Sequence, residues 1–428
     1  MMWRIGAALA AVLALCGAGI GPAVTMTALP GGGTGIVRPL SGAPLAAVEL
    51  WFRAPSIGFE ADPQPGVANL AALAIAASEP LTGTPLATVV NQTGGRFSIS
   101  VYPQTVEISA LVPASEAGRV LRTMTAVYFT PVLTQNGLTQ AQGEVRANAR
   151  LRDIASPDET LRDALFAALF GSGPDHFSPT DAANVAALKL DDLRAFATRA
   201  FRASNCTIVL TGAVDVQLAR SAVEGRGEGG APEQLLDARN ALAGASPTVT
   251  RPGPVPGFGY AWPGPSIKDE RAATALDFVA DYLFNPDTGV VTHQLDGVDA
   301  NVDAQYVTYY DPGVFYVEAT GTQADGARNK VQAALEAMRK PLDAKTFDEA
   351  RKQFEYHVVS DVSTPLTLAD NFGWYASEGN AAYAPGADLD GGHYINSIRG
   401  LTPQLVAETV NKFLSASPAT ASLDTSKK

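Results

Sequence analysis

Metal-assisted hydrolysis asks for a particular set of side chains. A bound divalent cation lowers the pKa of its water from about 15.7 towards about 7, which makes a nucleophile at neutral pH. Two imidazoles four residues apart lie on one face of a helix and can share such a cation. The chain has four histidines, His176, His293, His357 and His393, and none has a His or Glu neighbour at His-x-x-x-His or His-x-x-Glu-His spacing. His293 reads as a surface or interface residue with no companion histidine and no acidic partner at a helical interval; the other three are assigned no role. Other chemistries find as little support. Gly31-Gly-Gly-Thr-Gly35 is followed by neither Lys-Ser/Thr nor a dinucleotide pattern, and reads as a turn between two short strands. No Gly-x-Ser-x-Gly elbow occurs. Cys206, in Asn205-Cys-Thr-Ile-Val-Leu210, is expected on a buried strand, where a lone thiol acts as a small core hydrophobe.

Composition narrows the class. A chain of 428 residues is long for one core, and 46% apolar with 17% charged residues suits a folded globular protein. A formal net charge of −12 argues against nucleic acid and anionic membrane surfaces as partners. Residues 1–27 have the layout of a secretory signal peptide: Arg4, an apolar run from Ile5 to about Ile20, then small residues. The run is short for a membrane span, so no stable membrane insertion is expected after cleavage. Cys16 follows Leu15 rather than a small residue, which disfavours lipoprotein processing. A periplasmic or secreted location follows.

The elements that would position any site recur in two halves. Residues 225–257, with Gly225-Arg-Gly-Glu-Gly-Gly230, a polar stretch expected to be helical, and Arg251-Pro-Gly-Pro-Val-Pro-Gly257, read as a linker between domains at 28–224 and 258–428. The first half has an alternating strand at 102–112, a helix at 116–129, Pro131-Val-Leu133 and a helix at 139–152. The second has a strand at 310–320, a helix at 324–339, Pro341-Leu-Asp343 and a helix at 345–359. The same order recurs roughly 210 residues apart, the mark of duplication. Opening strands at 47–53 and 258–262 lead to Ala/Leu-rich helices at 66–77 and 272–284. The fold class is therefore α+β: two homologous domains, each an antiparallel sheet covered by helices on one face.

Leu29-Pro-Gly-Gly-Gly33, Val48-Glu-Leu-Trp-Phe-Arg53, the helix from Gly66, Thr207-Ile-Val-Leu-Thr-Gly-Ala-Val-Asp215 and Trp262-Pro-Gly-Pro-Ser-Ile-Lys-Asp269 together carry a resemblance. In order and spacing the chain resembles the M16 (insulinase or pitrilysin-like) metallopeptidases, specifically a two-domain M16B-type subunit. The resemblance implies a zinc site in a helix of the form Gly-Leu-Ala-His-Leu-x-Glu-His. Here that motif falls on Gly66-Val-Ala-Asn69-Leu-Ala-Ala72-Leu73, so the two ligand positions hold Asn69 and Leu73 and the general-base position holds Ala72. The distal glutamate position falls on Asn148, with Glu144 one helical turn away. The family's substrate-gripping Arg and Tyr fall near Asp296 and Asn301.

No metal or other cofactor is expected from this set. The resemblance further implies a chamber in which a peptide adds to a sheet edge, here Gly95-Arg-Phe-Ser-Ile-Ser-Val101, with Phe97, Ser98 and Ile99 as candidate contacts. The reading is a non-catalytic homologue, a structural or peptide-chamber subunit partnering a zinc-bearing M16 homologue in a hetero- or homodimer. The alternatives are an independent periplasmic peptide-binding or scaffold protein, and a zinc endopeptidase with other ligands.

Overall fold

The computed structural model describes residues 24–54, 64, 66–78, 83–171, 182–225, 230–239, 242, 247–386 and 393–426. His176 and the expected signal segment up to residue 23 lie outside them. Counting helices of eight residues or more, the first half contains β1 (Thr25–Ala28), β2 (Thr34–Pro39), β3 (Leu45–Arg53), α1 (Val67–Ala77), β4 (Arg96–Val101), β5 (Thr105–Pro113), α2 (Ala117–Phe129), α3 (Gln135–Ala155), α4 (Pro157–Phe170), α5 (Leu190–Ala200), β6 (Cys206–Gly212) and α6 (Val216–Val223). The second contains β7 (Thr248–Pro252), β8 (Gly257–Pro263), α7 (Glu270–Phe284), β9 (Asn301–Val307), β10 (Val314–Thr320), α8 (Ala324–Ala337), α9 (Ala344–Asp361), α10 (Pro365–Ser377), α11 (Pro403–Phe413) and β11 (Ala419–Asp424).

The first sheet runs β1-β2-β6-β3-β5-β4 and the second β7-β11-β8-β10-β9. Leaving out β1, the two orders correspond strand for strand, including one parallel pair in each, β2 with β6 and β7 with β11. The remaining pairs are antiparallel. The glycine run closes the turn between β1 and β2, with Gly31 and Gly32 at φ of 87° and 96°, a region that favours glycine. Asp192 and Asp269 serve helix N-termini: the Asp192 carboxylate accepts from the Lys189 N–H, and Asp269 accepts from the Ala272 N–H.

Two local expectations change. Residues 230–238 are not helical. Their backbone is engaged elsewhere: Gln104 makes paired hydrogen bonds to the Leu236 carbonyl and N–H at 3.1 and 3.0 Å, and the Asn205 side chain accepts from the Glu233 N–H. A polar sequence with good tertiary partners has no need of an intrahelical ladder. Part of the stretch read as linker also forms β7, which completes the edge of the second sheet.

Each sheet carries its own half's helices on one face. Val48, Leu50 and Phe52 on β3 enter a core with α1 and α2, and Phe258, Tyr260 and Trp262 on β8 enter one with α7 and α8. The opposite face of each sheet is covered by a single helix of the other half. Helix α10 crosses β3 and β6, and α4 crosses β7, β8, β10 and β11. Arg53 of β3 ties α10 down by donating to the Ser377 and Ala376 carbonyls at its C-terminus, at 3.2 and 3.4 Å. The closest approach is Gly373 of α10 against the Trp51 indole, where any β-carbon would overlap the ring nitrogen. Gly373→Ala must displace Trp51 from a filled interface. It should lower stability by about 1–3 kcal/mol, the usual penalty of overpacking, measurable as a shift in the urea midpoint with unchanged m-value.

Candidate functional site

Two places can be examined for chemistry. The first is α1. Most of its residues are buried, from Val67 and Ala68 through Ile75 and Ala76, whereas Asn69, Leu73 and Ala77, spaced by four, form its half-exposed stripe. The stripe is where a pair of metal ligands would need to stand. Leu73 and Ala77 bring no donor atom to it. Ala72 is fully buried, and its carbonyl accepts from the Tyr128 hydroxyl at 3.0 Å. Helix α3 packs beside α1 through Leu138, Ala141 and Val145, while Glu144 and Asn148 lie on its exposed side. An amide, a methyl group and an isobutyl group do not make a zinc site.

Asp296 and Asn301 stand at the entry to β9, both exposed, and line a cavity of about 500 Å³ with Asp158 and Asp303. His293 does have an acidic neighbour at a helical interval, contrary to the reading from sequence: Asp296, three residues on, lies 3.9 Å away, with both side chains in solvent. His357 hydrogen-bonds Asp281 at 2.8 Å, and His393 lies 3.4 Å from Glu270. Cys206 begins β6 and is buried, with its thiol pKa pushed up by that burial. β4 is an edge strand of the first sheet, its outer residues alternating between half-buried Phe97 and Ile99 and exposed Ser98.

The second place lies between the halves, and sequence reasoning missed it. Glu49 of β3, Glu107 of β5 and Asp370 of α10 bring carboxylate oxygens within 4.8 Å of one another. Glu49 and Glu107 are buried. Glu49 accepts from the Trp51 indole N–H at 2.7 Å and from Ser109 at 3.3 Å, and Glu107 accepts from the Tyr102 hydroxyl at 3.3 Å. Among the described residues no Lys, Arg or His forms an ion pair with any of the three. Burial, reinforced by the charges of Glu107 and Asp370, holds the Glu49 carboxyl well above the usual carboxylate range. Burial and then Asp370 push Glu107 up to about 7. Burial raises Asp370 too, against the hydrogen bonds it makes to both glutamates. Protonated carboxyls donate to their neighbours, so the cluster holds together by sharing protons.

Beside the cluster lies a cavity of about 590 Å³, lined from the first half by Trp51, Tyr102, Arg162 and Phe166 and otherwise by the second. Its rings make a continuous chain: Trp51 stacks on Tyr102 (centroids 5.8 Å), Tyr102 meets Trp374 (5.0 Å), Trp374 meets Tyr309 (5.5 Å), and Tyr309 meets Phe166 (6.0 Å). Arg162 of α4 pairs with Glu318 of β10, lies 3.9 Å from Asp303 and sits over the Tyr316 ring. Asp277, hydrogen-bonded by the Tyr394 hydroxyl at 2.6 Å, is pushed up to about 7 by burial.

With this geometry in hand, comparison with known proteins is informative. Residues 187–354 match the family model described as the peptidase M16 inactive domain. Over that stretch the chain is similar to an M16 domain. Among solved structures, a protease from Helicobacter pylori shares its fold at TM-score 0.82 and 15% identity, covering 95% of this chain and 100% of that one. An M16-like peptidase from Alicyclobacillus acidocaldarius, described as putative, gives 0.78 and 15%, covering 95% and 99%. A peptidase M16 inactive domain from Pseudomonas fluorescens gives 0.76 and 18%, covering 94% and 98%. No curated protein matches the sequence. The matched stretch begins after α1 and ends before α10, so it includes neither the α1 stripe nor the acidic cluster.

The signal for the cluster was present but ambiguous. Glu49 and Glu107 lie on strand faces that alternate with core residues, the usual place for a solvated carboxylate. Only α10 makes that face an interior. In the folded protein Glu107 retains a proton that the unfolded chain releases, so its contribution to stability is lost as pH rises from about 4.5 through about 7. Glu107→Gln keeps the shape and removes the ionisation. Urea unfolding at pH 5 and pH 8 should show the wild type losing roughly 2–4 kcal/mol more than the variant over that interval.

Proposed function

We propose that this chain is a non-catalytic M16 subunit of the bacterial-type periplasm, which assembles with a zinc-bearing M16 homologue and helps to enclose its peptide. One observation carries the reading: the α1 stripe has the right position for ligands and the wrong atoms, Asn69 and Leu73, with Ala72 at the general-base position. The description of the matched family as an inactive domain supports it. The apolar N-terminal segment supports export. The open edge of β4 supports a role in holding extended peptide, since edge N–H and C=O groups pair with any added strand.

The purified chain should contain less than stoichiometric zinc by elemental analysis and should leave a quenched peptide substrate uncut. Stoichiometric zinc with chelator-sensitive cleavage would overturn the reading. Affinity purification of the native protein from its envelope fraction should retain a homologue bearing intact His-x-x-Glu-His. A stable homodimer that ignores such a homologue would point instead to an independent scaffold.

A further inference from the structure

We propose that the cavity between the two halves is a binding site for an organic cation, a guanidinium or amine carried on an apolar body. The volume of about 590 Å³ is that of a small-molecule pocket. Nine of its nineteen lining residues are aromatic, among them Trp51, Tyr102, Tyr309 and Trp374. Ring faces attract a cation, and more strongly when it is desolvated. Three carboxyl groups, Asp277, Asp361 and Asp370, share the same lining. Behind Asp370 stand Glu49 and Glu107.

The opposing positive charge is already committed. Among the described residues Arg162 is the one basic residue in the lining, and it pairs with Glu318 and lies near Asp303. His357 is held by Asp281 at 2.8 Å. A cation entering the cavity therefore meets aromatic rings and carboxyl groups that form no ion pair with a basic residue among the described residues, and an anion would meet like charge. A divalent metal would use the carboxylates but not the rings. The aromatic walls favour a ligand with an apolar body, whether a free amine or the Arg or Lys side chain of a peptide.

Calorimetric titration of the intact chain at pH 8 tests this with Nα-acetyl-arginine amide, with agmatine, and with the neutral isostere Nα-acetyl-citrulline amide. At least one of the two cations should bind saturably at one per chain, with the citrulline compound at least tenfold weaker. Tight binding of agmatine alone would mark the source as a free amine, and of the arginine amide alone as a peptide side chain; either supports the site. Asp370→Asn should weaken the cation at least tenfold with near-ultraviolet circular dichroism unchanged. If that variant fails to fold, Asp361→Asn, at an exposed position, should still weaken it at least threefold. Equal binding of the arginine and citrulline compounds, no saturable binding, or displacement of the cation by stoichiometric calcium chloride would each overturn the proposal. The measurement needs no partner subunit, so its failure leaves the assembly reading standing, and the reverse also holds.

Discussion

The Trp51 indole is the contact on which the arrangement of the halves depends. Its ring lies against Gly373 of α10, its N–H is taken by the buried Glu49, and its face stacks on Tyr102. One side chain thus joins the packing of a foreign helix, a buried carboxyl group and the first ring of the aromatic chain. A bulkier residue at 373 disturbs all three together, because close-packed interiors transmit strain rather than absorb it. The second sheet has a related close approach, where Gly259 of β8 lies under Leu165 of α4. In both places a glycine lets a helix of one half come down on the sheet of the other.

The duplication makes the electrostatic difference between the two interfaces instructive. Arg162 and Asp370 each stand five residues after the proline that begins their helix, Pro157 in α4 and Pro365 in α10. Arg162 meets Glu318 and neutralises a carboxylate buried under α4. Asp370 meets Glu49 and Glu107 and adds a third carboxyl group to two. Taking charges out of water is unfavourable unless they are paired. The first interface sets a guanidinium against its carboxyl group, whereas among the described residues the second gives its three acids no ion-pair partner, and burial raises all three. A cluster of that kind makes the stability of the joined halves depend on pH.

The α1 stripe shows that position and chemistry separate cleanly. The burial pattern of the helix leaves Asn69, Leu73 and Ala77 on one half-exposed face, since that pattern is set by packing on β3, α2 and α3. The side chains on that face carry no metal-binding set. Packing constrains the buried positions of such a helix, and the half-exposed stripe is free to lose its donors without loss of the core.

Much of this architecture was legible before folding. Period-two alternation gave β3, β5, β8 and β10, and the Ala/Leu-rich segments gave α1 and α7, because local periodicity records which face of an element is apolar. The repeated strand, helix, proline, helix order gave the duplication, and the glycines before β2 gave the turn. What lies over the other face of a sheet is not a local property. Glu49 and Glu107 alternate with core residues, and from sequence that is the pattern of a carboxylate in water. The sequence by itself determined two α+β halves and that no two histidines stand four residues apart. Only the tertiary structure decided that α10 covers the polar face of the first sheet, turning solvated acids into a buried cluster beside an aromatic cavity, because the burial of a charge depends on neighbours more than two hundred residues away.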